Sequence, residues 1–318
     1  MFVFHKIEEV PRDFGRTFVS VGNFDGVHRA HRYVLREIVQ RAKAHSEGET
    51  QSKSVAVTFE PHPIRILRPD AGLKLLTPLP EKLRLLGETG LDAVLVLPFT
   101  RDLSLMTPHQ FAHDILHKRL RVLEAHEGFN FHFGHKASGT VKTLEEFGRE
   151  MDFVVKIYSE MTLRGETVSS SHIRKLVREG RVSRARHLLA RPFNILSTAG
   201  RGRGYGSKYT VPTINLSRYE ELVPKDGVYI TRTRIGNECF DSVTNVGNRP
   251  TFGSDSFAIE THLLNFHPIE LTAETEVELF FLDRLRDEIK FPSVDALKEQ
   301  IGRDVKKAGR YLRLLKNC

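Results

Sequence analysis

The sequence predicts two folds in one chain: a doubly wound parallel α/β domain over residues 1–185, then an antiparallel β-barrel with a closing helix over 186–318. Up to Arg191-Pro192, short β-branched runs alternate with helical patterns, the signature of a parallel sheet with crossover helices. Beyond that point the alternation stops, and short strands rich in glycine and threonine run on to one last helix. Length agrees, because 318 residues exceed one ordinary compact core.

Composition narrows the class. Hydrophobic residues at 40% against 28% charged describe a soluble globular chain, and no apolar run approaches the roughly 20 residues that cross a bilayer. Met1–Glu9 lacks the ordered regions of a signal peptide. Cys239 and Cys318 make neither a disulfide framework nor a zinc site and fit a reducing compartment. A cytoplasmic location with no membrane partner is therefore expected. The net charge of +8 suits polyanionic ligands and does not itself separate nucleotides from nucleic acid.

In chain order, residues 1–16 read as a lead-in interrupted by Pro11 and Gly15. The run Val19-Ser20-Val21 ends at Gly22, turns through Asn23, Phe24, Asp25 and Gly26, and enters a helix carrying Val34, Leu35 and Ile38 on one face. Unpaired backbone N–H groups at a helix start attract phosphate, and glycines let backbone approach it. His28 and His31 lie on neighbouring positions of the first turn, where imidazoles can donate to phosphate oxygens. A second strand, Ser54–Phe59, runs into Glu60-Pro61-His62-Pro63, a loop fixed by prolines at a strand's C-terminal end, where open α/β sheets bind ligands. His62 there suits structure as well as function.

Leu79–Leu86 is helical in pattern, Asp92–Pro98 is a third strand, and Thr107-Pro108 opens another helix. Gly128–Gly134 alternates strictly, which fits either a half-buried strand with its phenylalanines inward or a ligand loop with Asn130 as its polar contact. Met151–Ile157 is a further strand. Ser170 and Ser171 supply hydroxyls at the next helix start, and Arg174 follows one turn in, placed to meet a phosphate. Gly200–Gly206 interleaves glycine with arginine and by itself resembles an RNA-binding segment; its shortness and flanking strands count against that. Ala258–Phe266 alternates like a strand, and from Ser293 a helix carries Leu297, Ile301, Val305 and Leu312 at helical spacing.

Several of these stretches resemble one family. Gly22–His28 is similar to the FAD synthetase (FMN adenylyltransferase) form of the nucleotidyltransferase signature, with Ala30 where H-x-G-H has glycine. Phe59–Pro63 matches F-x-P-H-P, Gly128–Gly134 matches G-x-D/N-F-x-F-G with His132 in place of the usual arginine, and Ser170–Arg174 matches S-S/T-x-I-R. Downstream, Pro212–Asn215 resembles the P-T-A-N motif of riboflavin kinases, Asn245–Phe252 their N-x-G-x-R-P-T-F, and Glu260–Phe266 their E-x-H-L-L-D/N-F.

The ordered set, from about residue 17 to 315, implies a bifunctional riboflavin kinase/FAD synthetase: a nucleotidyltransferase-type sheet domain followed by a riboflavin kinase barrel. Its substrates would be riboflavin, FMN and ATP with Mg²⁺, and it would need no nucleic acid. By that resemblance His28 and His31 are catalytic in the first domain, and Glu260 is the base that activates the riboflavin 5′-hydroxyl in the second. Gly22, Asn23, Phe24, Asp25, Gly26, Ser170, Ser171, Arg174, Gly206, Lys208, Thr213 and Asn215 would meet ATP. Thr213 and Asn215, oxygen donors that suit Mg²⁺, would also hold the metal. His62, Pro63, Asn130, Phe131 and Arg284 would face the flavin. Ala30 and His132 keep open a kinase with a degenerate first domain, and a flavin- or RNA-binding regulator is a further alternative. The sequence is silent on oligomeric state.

Overall fold

A computed structural model describes residues 1–46, 51–200, 213–248, 257–264, 267, 271–272 and 274–316. By their contacts the residues fall into two units, Met1–Ser170 and Ser171–Cys318.

The first unit is built on a parallel sheet. Strands β1 (Phe2–Phe4), β2 (Thr17–Val21), β3 (Lys53–Glu60), β4 (Ala93–Pro98), β5 (Val122–Gly128) and, after two short bridging strands, β8 (Val154–Tyr158) lie in the order β1-β4-β3-β2-β5-β8. Every residue of β2 is buried, as a strand covered on both faces must be. Phe18, Ala56, Val94 and Val96 point to one side and pack with Leu35, Ile38, Val39 and Ala42 of helix α1 (Arg29–His45). Val19, Val21, Val55, Val57, Leu95 and Leu97 point to the other side and meet Phe111, Ala112, Ile115 and Leu116. The expected lead-in is instead partly sheet, because Phe2, Val3 and Phe4 pair in parallel with Ala93, Val94 and Leu95.

Helix α2 (Pro63–Leu67) follows β3, and α3 (Leu79–Gly87) precedes β4. After β4 come α4 (Arg101–Leu105), α5 (Pro108–Gln110) and a π-helical segment, Phe111–Arg119. Thr107 caps α5 reciprocally with Gln110, as its Thr-Pro start predicts. The alternating 128–134 stretch is mostly loop: Phe129 is 49% exposed and only Phe133 is buried. The short hairpin of β6 (His132–Phe133) and β7 (Gly139–Thr140) leads into α6 (Val141–Glu150), and a second hairpin, β9 (Thr162–Leu163) with β10 (Glu166–Thr167), follows β8. β2, β3 and β4 step away in one direction while β5 lies on the other side of β2. Chain order therefore reverses between β2 and β5, and such a switch point opens a crevice at the strands' C-terminal ends.

In the second unit, α7 (Ser170–Arg178) and α8 (Val182–Leu189) lead into an antiparallel sheet. Six strands run in the order β11-β16-β13-β14-β15-β12: β11 (Phe193–Thr198), β12 (Thr213–Asn215), β13 (Gly227–Ile235), β14 (Glu238–Asn248), β15 (Phe257–Leu263) and β16 (Glu276–Arg286). An Ala199–Leu216 bridge joins the two edge strands, so the sheet curls into a barrel. Helix α9 (Val294–Lys316) covers one outer face, where Ala308 and Leu312 pack with Val228, Ile230, Val243 and Leu282. Its first half is more open than its spacing predicts, with Leu297 and Ile301 exposed.

Inside the barrel, Thr231, Thr233, Ser242, Thr244 and Thr261 are fully buried. Their hydroxyls close a ring: Thr231–Ser242 at 2.8 Å, Ser242–Thr233 at 2.8 Å, Thr233–Thr261 at 3.3 Å, Thr261–Thr244 at 2.8 Å and Thr244–Thr231 at 2.7 Å. Each hydroxyl can donate once and accept once, so the ring satisfies itself without water.

Candidate active sites

The first site grows from the turn after β2. Phe24, Gly26 and Val27 have φ of +46°, +87° and +39°, so the chain leaves the strand through left-handed backbone that only glycine adopts freely. Buried Asp25 holds this turn: its carboxylate accepts the Leu76 N–H at 2.9 Å and the Thr77 N–H at 3.0 Å. Gly26 N–H donates to Thr77 Oγ1 at 2.9 Å, and Ser170 Oγ donates to the Asp25 carbonyl at 2.8 Å. The result is a rigid loop at the start of α1.

His28 is the N-cap of α1, its Nδ1 accepting the His31 N–H at 3.4 Å. That bond leaves the proton on Nε2, the atom free to donate to a ligand. The two rings stack at 3.6 Å, and Phe24 meets His31 edge-on at 5.2 Å. Burial holds His28 down to about 4, and it holds His31 well below the ordinary imidazole range, with the charges of His28 and Lys82 adding to the effect. Both rings are therefore neutral at pH 7, each with one N–H to offer. His31 Nδ1 is buried without a hydrogen-bond partner.

Two groups that sequence reasoning missed complete the surroundings. Buried Glu127 lies near the C-terminal end of β5, where Val21 N–H donates to its Oε1 at 2.7 Å; burial pushes its carboxyl well above the ordinary range. Lys82 is 1% exposed, its ammonium pushed down by burial and raised again by Asp25 and Glu60. Its spacing to Leu85 and Leu86, on the apolar face of α3, was the available signal. His62 is buried and caps α2, accepting the Ile64 N–H at 3.2 Å, and Pro63 is that helix's first residue. Asn130 lies exposed in the loop after β5, while Phe131 stacks on Phe133 at 5.4 Å.

The second site is a row across three barrel strands. Asn215 of β12 pairs with Glu260 of β15, which pairs on its other side with Asn245 of β14. Directly opposed residues share a face, so the three side chains form one polar line. Thr213 stands two residues before Asn215 on that same face, opposite His262. Asn245 Nδ2 donates to Glu288 Oε1 at 3.1 Å, and a methyl at Gly247 would come within 2.5 Å of Glu288, so glycine makes room there. Hydroxyl, amide and carboxylate oxygens are the donors a hard cation takes, so this set fits Mg²⁺.

A family model described as FAD synthetase matches residues 10–172, and one described as riboflavin kinase matches 189–312. The bifunctional riboflavin kinase/FMN adenylyltransferase of Escherichia coli (strain K12) is 32% identical over 314 residues, covering 98% of this chain and 97% of the relative. That of Buchnera aphidicola is 31% identical over 301 residues, covering 93% and 94%. The chain belongs to the bifunctional riboflavin kinase/FMN adenylyltransferase family. Among solved structures, a Streptococcus pneumoniae protein described as a macrolide-efflux protein superposes with a TM-score of 0.84 at 25% identity, covering 96% of this chain and 97% of that one. Among the described residues no helix is long and apolar enough to cross a membrane.

Other residues expected in this family's sites are placed as follows. Ser171 and Arg174 lie in the first turns of α7, with Arg174 buried. Arg284 is spoken for on three sides: it lies 5.8 Å from the Tyr229 ring centroid, donates to the Asp226 carbonyl, and pairs with Asp287 at 2.8 Å. Gly206 and Lys208 lie outside the described residues.

Proposed function

We propose that this chain makes FMN from riboflavin and FAD from FMN, each at the expense of ATP. The carrying observation is that each half matches its own family model while holding its own polar site: the imidazole pair at the start of α1, and the Asn215–Glu260–Asn245 row. The activities divide near 185/186, where the sequence pattern changes from helix-and-strand alternation to short antiparallel strands.

In the kinase half, Glu260 takes the proton of the riboflavin 5′-hydroxyl as its oxygen attacks the γ-phosphorus, and ADP leaves. Thr213 and Asn215 would hold Mg²⁺, which when bound would offset charge on the ATP phosphates. Gly206 and Lys208 meet those phosphates as well. In the other half, an FMN phosphate oxygen attacks the α-phosphorus of ATP and pyrophosphate leaves. His28 Nε2–H and His31 donate to the developing charge, and Ser170, Ser171 and Arg174 add polar and cationic support. Gly22, Asn23, Phe24 and Gly26 shape the phosphate loop; Asp25, whose carboxylate is taken by backbone donors, holds that loop in place. His62, Pro63, Asn130 and Phe131 line the flavin side there, and Arg284 does so in the barrel. The reading needs neither nucleic acid nor a membrane, and its ATP-dependent chemistry supports a cytoplasmic location.

Incubation of the purified chain with riboflavin, ATP and Mg²⁺, followed by chromatographic separation of flavins, tests this. FMN should appear first and FAD accumulate at its expense. FMN without FAD would mean a degenerate first site, and no turnover would refute both assignments.

A further inference from the structure

Neither proposed reaction uses the three histidines on the outer face of α5 and the π-helical segment. His109, His113 and His117 recur every four residues. Their rings lie in a row, 6.0 Å apart and 8° from parallel for the first pair, then 6.1 Å and 27° for the second. All three are exposed, with side-chain exposures of 52% for His109 and 46% for His113. The opposite face is fixed in the core by Phe111, Ala112, Ile115 and Leu116, so the row stands on an anchored backbone. Positions four apart are neighbours in both α- and π-helical windings, so the row continues through the change of winding.

We propose that this row is a surface site for a borderline first-row cation of the Zn²⁺ class, held by two imidazoles four residues apart. Imidazole nitrogen suits Zn²⁺, Ni²⁺ and Cu²⁺ and not the oxygen-seeking Mg²⁺ of the kinase reaction. His113 is common to both chelating pairs and carries the feature that metal-binding histidines usually have. Its Nδ1 lies 2.8 Å from Asp114 Oδ1. A carboxylate there accepts a hydrogen bond from Nδ1–H, keeping the proton on Nδ1 and leaving the Nε2 lone pair for a metal. At the N-terminal end, Glu150 Oε1 lies 3.6 Å from His109 Nε2 and adds negative charge beside the row. Among the described residues no group of three or more His, Cys, Asp or Glu side chains is placed to hold a metal ion together. The proposed cation takes one histidine pair, with water completing its coordination. Side chains exposed to this degree reorient at little cost, which lets two near-parallel rings turn their Nε2 atoms onto one ion.

The test titrates Zn²⁺ into the full, nucleotide-free chain by calorimetry, with and without excess Mg²⁺. Wild type should bind Zn²⁺ undisturbed by Mg²⁺. His113→Ala removes both pairs and should weaken binding more than about tenfold. His109→Ala and His117→Ala each leave one pair and should weaken it less, while the double variant His109→Ala/His117→Ala should fall as far as His113→Ala. His113→Gln repeats the central test if the alanine variant melts early. No Zn²⁺ binding by wild type, displacement by Mg²⁺, or unchanged affinity in the folded His113 variant would each overturn the site.

Discussion

The two units place their polar chemistry differently, one at strand ends and the other across a sheet face. The parallel sheet is sealed with apolar side chains on both faces, and its reactive groups gather where strands end and helices begin. The barrel carries a buried ring of hydroxyls on its inner face, while Glu260, Asn215 and Asn245 line the outer one. In the first unit, burial tunes the site, holding His28 and His31 neutral and raising the Glu127 carboxyl well above its ordinary range. In the second, Glu260 is half-buried and strand register alone aligns its partners. One site thus depends on packing, and the other on register.

The largest expected effect is at Glu260. Glu260→Gln keeps size and hydrogen bonding but removes the base, so riboflavin phosphorylation should fall by about 10²–10⁴-fold. An unchanged kinase rate would remove Glu260 from the mechanism. His31→Ala, which deletes one neutral donor, should reduce FMN adenylylation by about 10²–10³-fold. The thermal midpoint, measured alongside, separates this from unfolding.

Stability changes come next. Thr244→Val opens the hydroxyl ring and leaves Thr231 and Thr261 one partner short, which should cost about 1–3 kcal/mol in chemical denaturation. Adding Thr231→Val should cost less than the sum of the two single changes, because the second removes a group already stranded. Strict additivity would show that the ring is not one network.

Glu127→Gln probes burial in the other unit. A carboxyl whose pKa is raised in the folded protein contributes its full stability below the unfolded pKa and loses it as pH rises through the folded one. Glutamine cannot ionise and can still accept the Val21 N–H. The variant should therefore melt higher than wild type at pH 7, with the difference closing near pH 4. Midpoints that track in parallel from pH 4 to 7 would contradict a raised Glu127 carboxyl.

The smallest effect is expected at Ala30, in the first turn of α1. Ala30→Gly should lower stability by at most about 1 kcal/mol and leave the KM for ATP in adenylylation equal or lower. A clear rise in KM without unfolding would mean that the loop is built around alanine.

Much of this was legible in the sequence, because period and punctuation carry local structure. Gly22 to His31, the Thr107-Pro108 cap and the change of pattern after Arg191-Pro192 all speak through neighbours in the chain. Other features come from partners far away in sequence. β1 looked like a lead-in because an edge strand of three residues has too little period to read. Glu127 sits beside Val21 only because the chain order reverses between β2 and β5. Lys82 reads as an ordinary charged helix residue until its place beside Leu85 and Leu86 is noticed. The hydroxyl ring could not be foreseen from threonines that, strand by strand, merely favour β structure. Asn245 was legible within its motif, but only register shows that it flanks Glu260.

The most direct test of two separate chemistries assays both reactions in both catalytic variants, using full-length chain from parallel preparations with matched thermal midpoints. Glu260→Gln should convert supplied FMN to FAD at the wild-type rate while failing to make FMN from riboflavin. His31→Ala should convert riboflavin to FMN at the wild-type rate and stop there. If either variant, still folded, loses both reactions together, the assignment of one chemistry to each half is wrong.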